Sequence, residues 1–488
     1  MKRKTNIKIH SIKYNLFMNV ILKASAFIFP LITFPYVSRI LGAGANGKIS
    51  FASSVISYFS LCASLGIPSY GIRKCAEVRD DRELLSKTVQ ELLMINIVCT
   101  VISYTILVML IFIIPKFYNQ RILFWVTSLS IIFNTLGVDW FYQSIEQYDY
   151  ITIRNILFKL IAVVLMFTFI REEKDYIFYA GITVIGSVGS NILNMLKLNH
   201  YVTFKKYHNY NFIQHLQPIF VLFLYNATTT IFTNLDQVML GFMSNSKEVG
   251  YYAATVKIKN ILISVITALG SVMLPRVAYY LKKNEKGKFI FLIRESFDFI
   301  FVSAVPIAIF FIVESRYIIL FLAGDGYEKS ITILQLIAPS VIFIGLSSVT
   351  AWQLLIPLKM EKYTVIGAVI GSIINLTVNF ALIPNFGGAG AAIATTVAEL
   401  AVLLTHFFFL RGKMKSMLDI KELVITTLSG VIALIGLLLL NSLIKLNNSF
   451  LQCIVASIVF FGIYFLALLL LRESIITDYV KNLVSKVR

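Results

Sequence analysis

Fourteen separate stretches of this 488-residue chain are each apolar and long enough to cross a bilayer, and several carry charges, seven of which single themselves out as deep inside a span. Backbone N–H and C=O groups cannot stay unpaired in hydrocarbon, so a spanning segment must be a helix or part of a closed barrel. Runs of about 20 residues match a helix rising 1.5 Å per residue across roughly 30 Å of hydrocarbon. The seven charges are Lys23, Lys159, Asp236, Lys257, Lys259, Asp298 and Glu399. A charge at that depth costs about 2.5 to 3.5 kcal/mol on insertion scales, so it faces a bundle interior or a watery cavity. The chain must therefore fold as a helical bundle that keeps a polar path through the membrane.

The spans read as 14–38, 47–71, 88–114, 122–143, 151–170, 176–198, 215–241, 249–275, 289–313, 331–357, 363–384, 388–410, 423–444 and 450–471. Only 14% of residues are charged, too few to solvate a globular surface of this size. The net charge of +19 is explained by topology. With residues near a span end counted in the adjoining connection, Lys and Arg divide 30 to 10 between alternate connections, with four more deep inside spans. That bias places both termini in the cytoplasm and removes any need for a nucleic-acid partner. The basic start Lys2-Arg3-Lys4 precedes a span too long for a cleaved signal, and no small-residue cleavage site follows. Cys62, Cys75, Cys99 and Cys453 show no metal spacing and are expected to stay reduced. The sequon Asn447-Asn448-Ser449 would face outside and reads as chance. Short loops leave no extramembrane domain, so functional polar groups must lie within the bundle.

Two sets of landmarks recur. Leu41-Gly42, Gly47, Leu65-Gly66, Pro68 and Arg73 match Leu240-Gly241, Gly250, Leu269-Gly270, Pro275 and Arg276. Ser130-Ile131-Ile132-Phe133 with Gln143 matches Ser340-Val341-Ile342-Phe343 with Gln353. The spacing corresponds to six spans, and an even number gives both copies the same orientation. The expected fold is an all-α integral membrane protein of 14 transmembrane helices. Two six-helix lobes would form a parallel pseudo-repeat around a cavity, with two C-terminal helices appended. The corresponding segments are a basic N-terminus (1–13), an N-lobe (14–198), a cytoplasmic linker (199–214), a C-lobe (215–410), and the last two spans with a cytoplasmic tail (411–488).

Each candidate site residue has a bland reading beside the functional one. Gly42-Ala43-Gly44-Ala45-Asn46-Gly47 fits G-x-G-x-x-G, yet it joins two spans without a βαβ unit, so it is a tight turn. Gly387-Gly388-Ala389-Gly390 reads the same way. No P-loop is present, so ATP does not drive this chain directly. Lys23 lies roughly 14 Å into the first span, ahead of Pro30 and Pro35, which can kink the helix and free carbonyls. It can bind a phosphate or pyrophosphate, or snorkel to the membrane edge. Asp236 and Lys257 can form an ion pair or contribute to an anion site, and Lys259 is the sharper anion-site candidate. Glu399 and Asp298 are candidates for proton or sodium coupling. Asp298 is close enough to a span end to be interfacial, and His406 reads as interfacial. Trp140, Phe141 and Tyr142 beside Gln143 and Glu146 combine stacking rings with hydrogen-bonding groups, as a sugar site requires. No metal or resident cofactor is expected.

Several segments together resemble the polysaccharide repeat-unit flippases, the Wzx-like members of the superfamily that includes the multidrug and toxin extrusion transporters. They run from Arg39 through Gly47, Tyr58-Phe59-Ser60 and Leu65-Gly66-Ile67-Pro68 to Arg73, and from Asp139-Trp140-Phe141-Tyr142-Gln143 to Arg154. Asp236 to Gly241, Val249 to Tyr252, Ala338-Pro339, Ile356-Pro357, Asn375, Asn379, Gly387 to Ala392 and Glu399 complete the set. The resemblance implies a transporter rather than an enzyme. It would flip an undecaprenyl-pyrophosphate-linked oligosaccharide across a bacterial cytoplasmic membrane by alternating access, for capsule, O-antigen or exopolysaccharide synthesis. On that reading Lys23, Arg39, Lys257, Lys259, Trp140 and Gln143 contact pyrophosphate or sugar, and Asp236, Glu399 and Asp298 serve ion coupling or ion pairing. The protein would work as a monomer in membrane lipid, beside a polymerase and glycosyltransferases of its pathway. The rival within the superfamily is a cation-coupled multidrug exporter, whose pocket would favour acids over lysines. A membrane glycosyltransferase or polymerase would need a sizeable outer loop, which this chain lacks.

Overall fold

In the computed structural model, which describes residues 10–414, 417–443, 446, 448–474 and 476–477, every regular element is helical. The Lys2-Arg3-Lys4 cluster, Asn447 of the sequon and most of the C-terminal tail lie outside the described residues. The chain divides into two compact units, Met1–Phe242 and Met243–Arg488.

The first unit contains α1 (Ile12–Ser64), α2 (Ile67–Val78), α3 (Arg82–Ile113), α4 (Pro115–Tyr118), α5 (Arg121–Gly137), α6 (Asp139–Ser144), α7 (Tyr148–Phe169), α8 (Tyr176–Val184), α9 (Asn191–Leu198) and α10 (Ile213–Met243). A 53-residue helix is far longer than one crossing needs, and α1 carries two spans. The only non-helical residue inside it is Gly42, at φ 64° and ψ 178°. Pro30 and Pro35 are absorbed without interrupting the helix, so the break expected of the prolines falls on the glycine instead. With α1 counted as two, the thirteen described helices that are long and apolar enough to span account for fourteen crossings. The helix α10 belongs with the first unit because its Gly241 lies against the Phe51 ring and its Phe242 packs on Phe51 and Phe117.

The second unit contains α11 (Ser246–Lys282), α12 (Lys286–Val313), α13 (Ser315–Leu322), α14 (Lys329–Ile337), α15 (Ser340–Ser348), α16 (Glu361–Phe386), α17 (Gly388–Met414), α18 (Ile420–Leu443) and α19 (Ser449–Leu470). Gly387, at φ 54°, ends α16 and lets α17 begin at the next residue. Glu248 of α11 accepts the freed Gly388 N–H at 3.0 Å.

The polarity of the helices is inverted relative to a water-soluble bundle. On α3, Thr88, Glu91, Asn96, Thr100 and Ser103 are buried, while Ile97, Val98, Val101, Ile102 and Phe112 are exposed. Lipid tails receive the apolar face, and helix association relies on packing and interhelical hydrogen bonds. Asn96 donates to Ala63 O at 2.8 Å and Ser103 to Phe59 O at 2.7 Å, joining α3 to α1. The core of the first unit gathers Ile67, Tyr70, Leu92, Phe141, Tyr142 and Leu198 where α2, α3, α6 and α9 meet. That of the second is built on Ile266, Ile293, Phe297, Val341 and Leu354.

The landmark pairs identified in the sequence mark irregular backbone in both units. Between α5 and α6, Val138 adopts φ 39° and ψ 34°. At the corresponding point after α15, residues Val349–Leu355 form a π-helical turn. Such departures cost energy and cluster at functional sites.

Candidate saccharide chamber

The break at Val138 turns α6 so that Asp139, Trp140 and Gln143 line a chamber of about 1080 Å³ lying wholly within the first unit. This exceeds the roughly 300–1,000 Å³ of sites for drug-sized ligands, so it suits a larger polar molecule. Its walls come from the second half of α1, from α2, α3, α5, α6 and the α8–α9 segment, and from α10. Ser53, Ser57, Ser60 and Ser64 form a stripe along α1 at helical spacing, and all four face the chamber. Asn134, Asn191, Asn226 and Asn234 add amides from three other elements. Among the described lining residues there is no Lys, Arg or His, and Asp139 is the one charged group.

Many of these groups spend their protons on their own backbone. The hydroxyls of Ser57, Ser130 and Ser187 donate to the carbonyls of Ser53, Thr127 and Thr183 at 2.7–2.8 Å. Those of Thr127 and Thr183 donate to Leu123 O and Ala180 O. Asn96, Asn191 and Asn234 each donate to a backbone carbonyl as well. A hydroxyl whose proton is so engaged still offers oxygen lone pairs, and an amide its carbonyl. Those hydroxyls therefore meet a ligand as acceptors, while Gln143, Asn134, Asn226 and the Trp140 indole supply N–H donors, a mixture that suits a ligand covered in hydroxyls.

Two features fix α6. Gly71 of α2 sits against the Trp140 ring, and a Cβ there would lie 2.6 Å from Cε3, so glycine is required for this close approach. Asp139 Oδ1 accepts from Arg154 Nη2 at 2.8 Å and from Asn194 Nδ2 at 2.7 Å. Arg154 is 2% exposed while the Asp139 side chain is 40% exposed, so the cation is hidden behind the wall and the carboxylate is presented. Asn194 also donates to Gly137 O, and Tyr142 donates to Asn194 O at 2.6 Å.

The remaining sequence candidates do not line the chamber. Lys23 and Arg39 are exposed on α1, and Arg39 Nη1 donates to Pro35 O at 2.7 Å. Lys257 and Lys259 are half-buried on α11 of the second unit. None of these four cations lines the chamber. Asp236 is buried on α10, next to Gln237, which accepts from Ser54 at 3.1 Å. Glu399 is half-buried on α17, with Asn375 and Asn379 buried on neighbouring α16, where Asn379 donates to Asn375 Oδ1. Asp298 on α12 is buried against the protein, and its Oδ1 has no hydrogen-bond partner. His406 is buried, with its Nδ1 2.8 Å from Thr350 Oγ1. Phe141 and Tyr142 are core residues, and Glu146 pairs with Arg79 at 2.8 Å, which leaves Trp140 and Gln143 as the chamber-lining part of that motif. Lys159 donates to Ser25 Oγ at 2.8 Å, a local solution for a cation inside a span.

The model of one family, described as polysaccharide biosynthesis protein, matches residues 12–281, more than half of the chain. The chain belongs to that family. The helices described above make it a multi-pass membrane protein. A protein named "Putative O-antigen transporter" in Escherichia coli (strain K12) is 21% identical over 404 residues, covering 82% of this chain and 97% of that one. Among solved structures, the lipid II flippase MurJ in an inward closed conformation superposes with a TM-score of 0.75 at 16% identity. The match covers 95% of this chain and 100% of that one. A multidrug resistance MATE family transporter of the MOP superfamily, in an inward-facing conformation, gives a TM-score of 0.58 at 12% identity, over 80% and 95% of the two chains. The fold of this family member is thus MurJ-like and MATE-like, and the relatives are named transporters or flippases rather than enzymes.

For this family member, sequence reasoning missed most of the chamber wall. The serine spacing 53, 57, 60, 64 was a usable signal, since it marks one face of a helix. The Arg154–Asp139–Asn194 cluster had no such signal, because its members come together only through the α6, α7 and α9 packing.

Proposed function

We propose that this protein flips a lipid-linked oligosaccharide, with its glycan carried on a polyprenyl pyrophosphate, across a bacterial cytoplasmic membrane by alternating access. The observation that carries this reading is the chamber: a large, hydroxyl- and amide-lined cavity inside an otherwise lipid-facing bundle. A glycan would lose its hydration shell on entering the membrane, and the chamber walls supply replacement partners. Trp140 offers an amphipathic ring edge and Gln143 an amide. The candidate cations for the pyrophosphate remain those of the sequence reading, Lys23, Arg39, Lys257 and Lys259, none of which lines the chamber. Coupling to protons or sodium would run through Asp236, Glu399 or Asp298. Membrane lipid is the medium for the polyprenyl tail, and the polymerase and glycosyltransferases of the pathway act before and after this step. The family match and the flippase-like fold support the same reading.

The test is complementation of a flippase-deficient strain that makes the cognate surface polysaccharide. Ser57→Leu with Ser60→Leu removes two hydroxyls and narrows the chamber, and surface polysaccharide is expected to fall at least about tenfold at normal protein levels, the loss of two modest hydrogen bonds. Wild-type polysaccharide from that variant would remove the chamber from the transport path. Lys257→Ala and Lys259→Ala, made separately, test the pyrophosphate assignment in the same assay.

A further inference from the structure

The chamber has a chemical polarity that no general requirement for sugar binding dictates. A glycan can be held by donors, by acceptors or by both, and acidic glycans call for donors or cations. Here the hydroxyl protons of Ser57, Ser130, Thr183 and Ser187 are committed to helix carbonyls. The one charge on the wall is the Asp139 carboxylate, with its guanidinium partner buried behind it. A uronic acid, phosphate or sulfate group brings only acceptors and a negative charge. Inside the chamber it would meet a like charge and find no cation among the described lining residues, only neutral donors such as the Gln143 amide. A neutral hexose brings hydroxyl donors, and an amino sugar brings an ammonium group that Asp139 can receive.

We propose that the chamber selects glycans by this polarity. It takes neutral or amino-bearing sugars and rejects those carrying carboxylate, phosphate or sulfate, with Asp139 as the specificity-determining residue. This rests on the flippase reading above and narrows its substrate class. It also requires the pyrophosphate to stay out of the chamber, whatever holds it. Arg154 acts as a positioning residue, since it sets the direction of the carboxylate without reaching the cavity itself.

The experiment uses the full chain in lipid nanodiscs and three synthetic probes: a polyprenyl pyrophosphate bearing a neutral N-acetylhexosamine disaccharide, the same lipid with a terminal hexuronic acid, and the bare polyprenyl pyrophosphate. Binding is followed by Trp fluorescence, with Trp140 in the chamber wall as reporter. The neutral glycolipid is expected to bind tighter than the bare lipid, and the uronic acid form at least about tenfold weaker than the neutral one, as like-charge juxtaposition implies. Asp139→Asn is expected to reduce that ratio to near one. Because it strips Arg154 of its counter-charge, Ser60→Lys provides a second route. It adds a cation to the wall, leaves the ion pair intact, and is expected to reverse the preference. Equal binding of the two glycolipids by the wild-type protein, both tighter than the bare lipid, overturns the selectivity while leaving the flippase reading standing. Glycolipids that bind no better than the bare lipid overturn both. A preference unchanged in both variants removes Asp139 as its source.

Discussion

At the scale of single residues, the molecule depends on a few close approaches and one hidden ion pair. Gly71 is the clearest. An added methyl would meet the Trp140 ring, whose own position is fixed by the break at Val138. Gly71→Ala is expected to destabilise by roughly 1–3 kcal/mol, the range for overpacking a filled site. A lowered Tm in detergent, with altered Trp emission, checks it. Arg154 presents a different case. Removing a buried cation from its carboxylate is costly when the carboxylate stays buried, but Asp139 is partly exposed and can rehydrate. Arg154→Met is therefore expected to cost only about 2 kcal/mol, below the range for fully buried pairs. In the double variant with Asp139→Asn the cost should be smaller than the sum of the singles, which a double-mutant thermal series measures directly. The residue scale is also where the sequence was least readable. Charges inside spans drew the reading toward Lys23, Lys257, Lys259 and Asp298, because each costs enough to demand a reason. Serine and asparagine bonded to their own helix cost little, so the chamber wall left only a faint stripe at positions 53, 57, 60 and 64.

At the scale of elements, the irregular points decide what the helices can do. Gly42 allows α1 to carry two crossings, with its φ and ψ in a region that is essentially glycine-only. A Cβ at this position would touch nothing within 4 Å. Gly42→Ala thus isolates backbone strain from crowding, and a loss of about 1–3 kcal/mol is expected, read as a lowered Tm. A second element-scale prediction concerns the end of α12. Glu314 is fully buried there, accepting from Asn441 of α18 at 2.7 Å, and Asn441 in turn accepts from Gln452 of α19 at 2.8 Å. Burial pushes the Glu314 carboxyl above its ordinary value of 4.5, outweighing the Asn441 hydrogen bond. The folded state then binds this proton more tightly than the unfolded one. Its contribution to stability is present below pH 4.5 and is lost as pH rises through the raised folded value. Glu314→Gln is expected to flatten that part of the Tm-against-pH curve. Such elements were readable as spans from their length and apolar content. Where they bend was only partly so, because Pro30 and Pro35 were the louder signals and Gly42 carried the break.

At the scale of the whole molecule, the count of crossings and the family were both legible in the sequence, since each rests on patterns hundreds of residues long. The hydrocarbon thickness dictates the period of the apolar runs, and fourteen runs survive in the structure once α1 is read as two. The 30-to-10 bias of Lys and Arg predicts an orientation with both termini in the cytoplasm. It yields a topology prediction of its own. In a background with the four native cysteines replaced, Asn119→Cys between α4 and α5 is expected to react with a membrane-impermeant maleimide in intact cells. Asp80→Cys between α2 and α3 is expected to react only after permeabilisation, and the reverse pattern would invert the protein.

The engagement of wall hydroxyls with helix carbonyls has a pharmacological consequence. A blocker would have little to gain from phosphonate or carboxylate mimics of the lipid's anionic group at this cavity. A compact polyol bearing primary amines, delivering protons to the Asp139 carboxylate and to hydroxyl oxygens whose own protons are engaged, is the scaffold from which an inhibitor series would start.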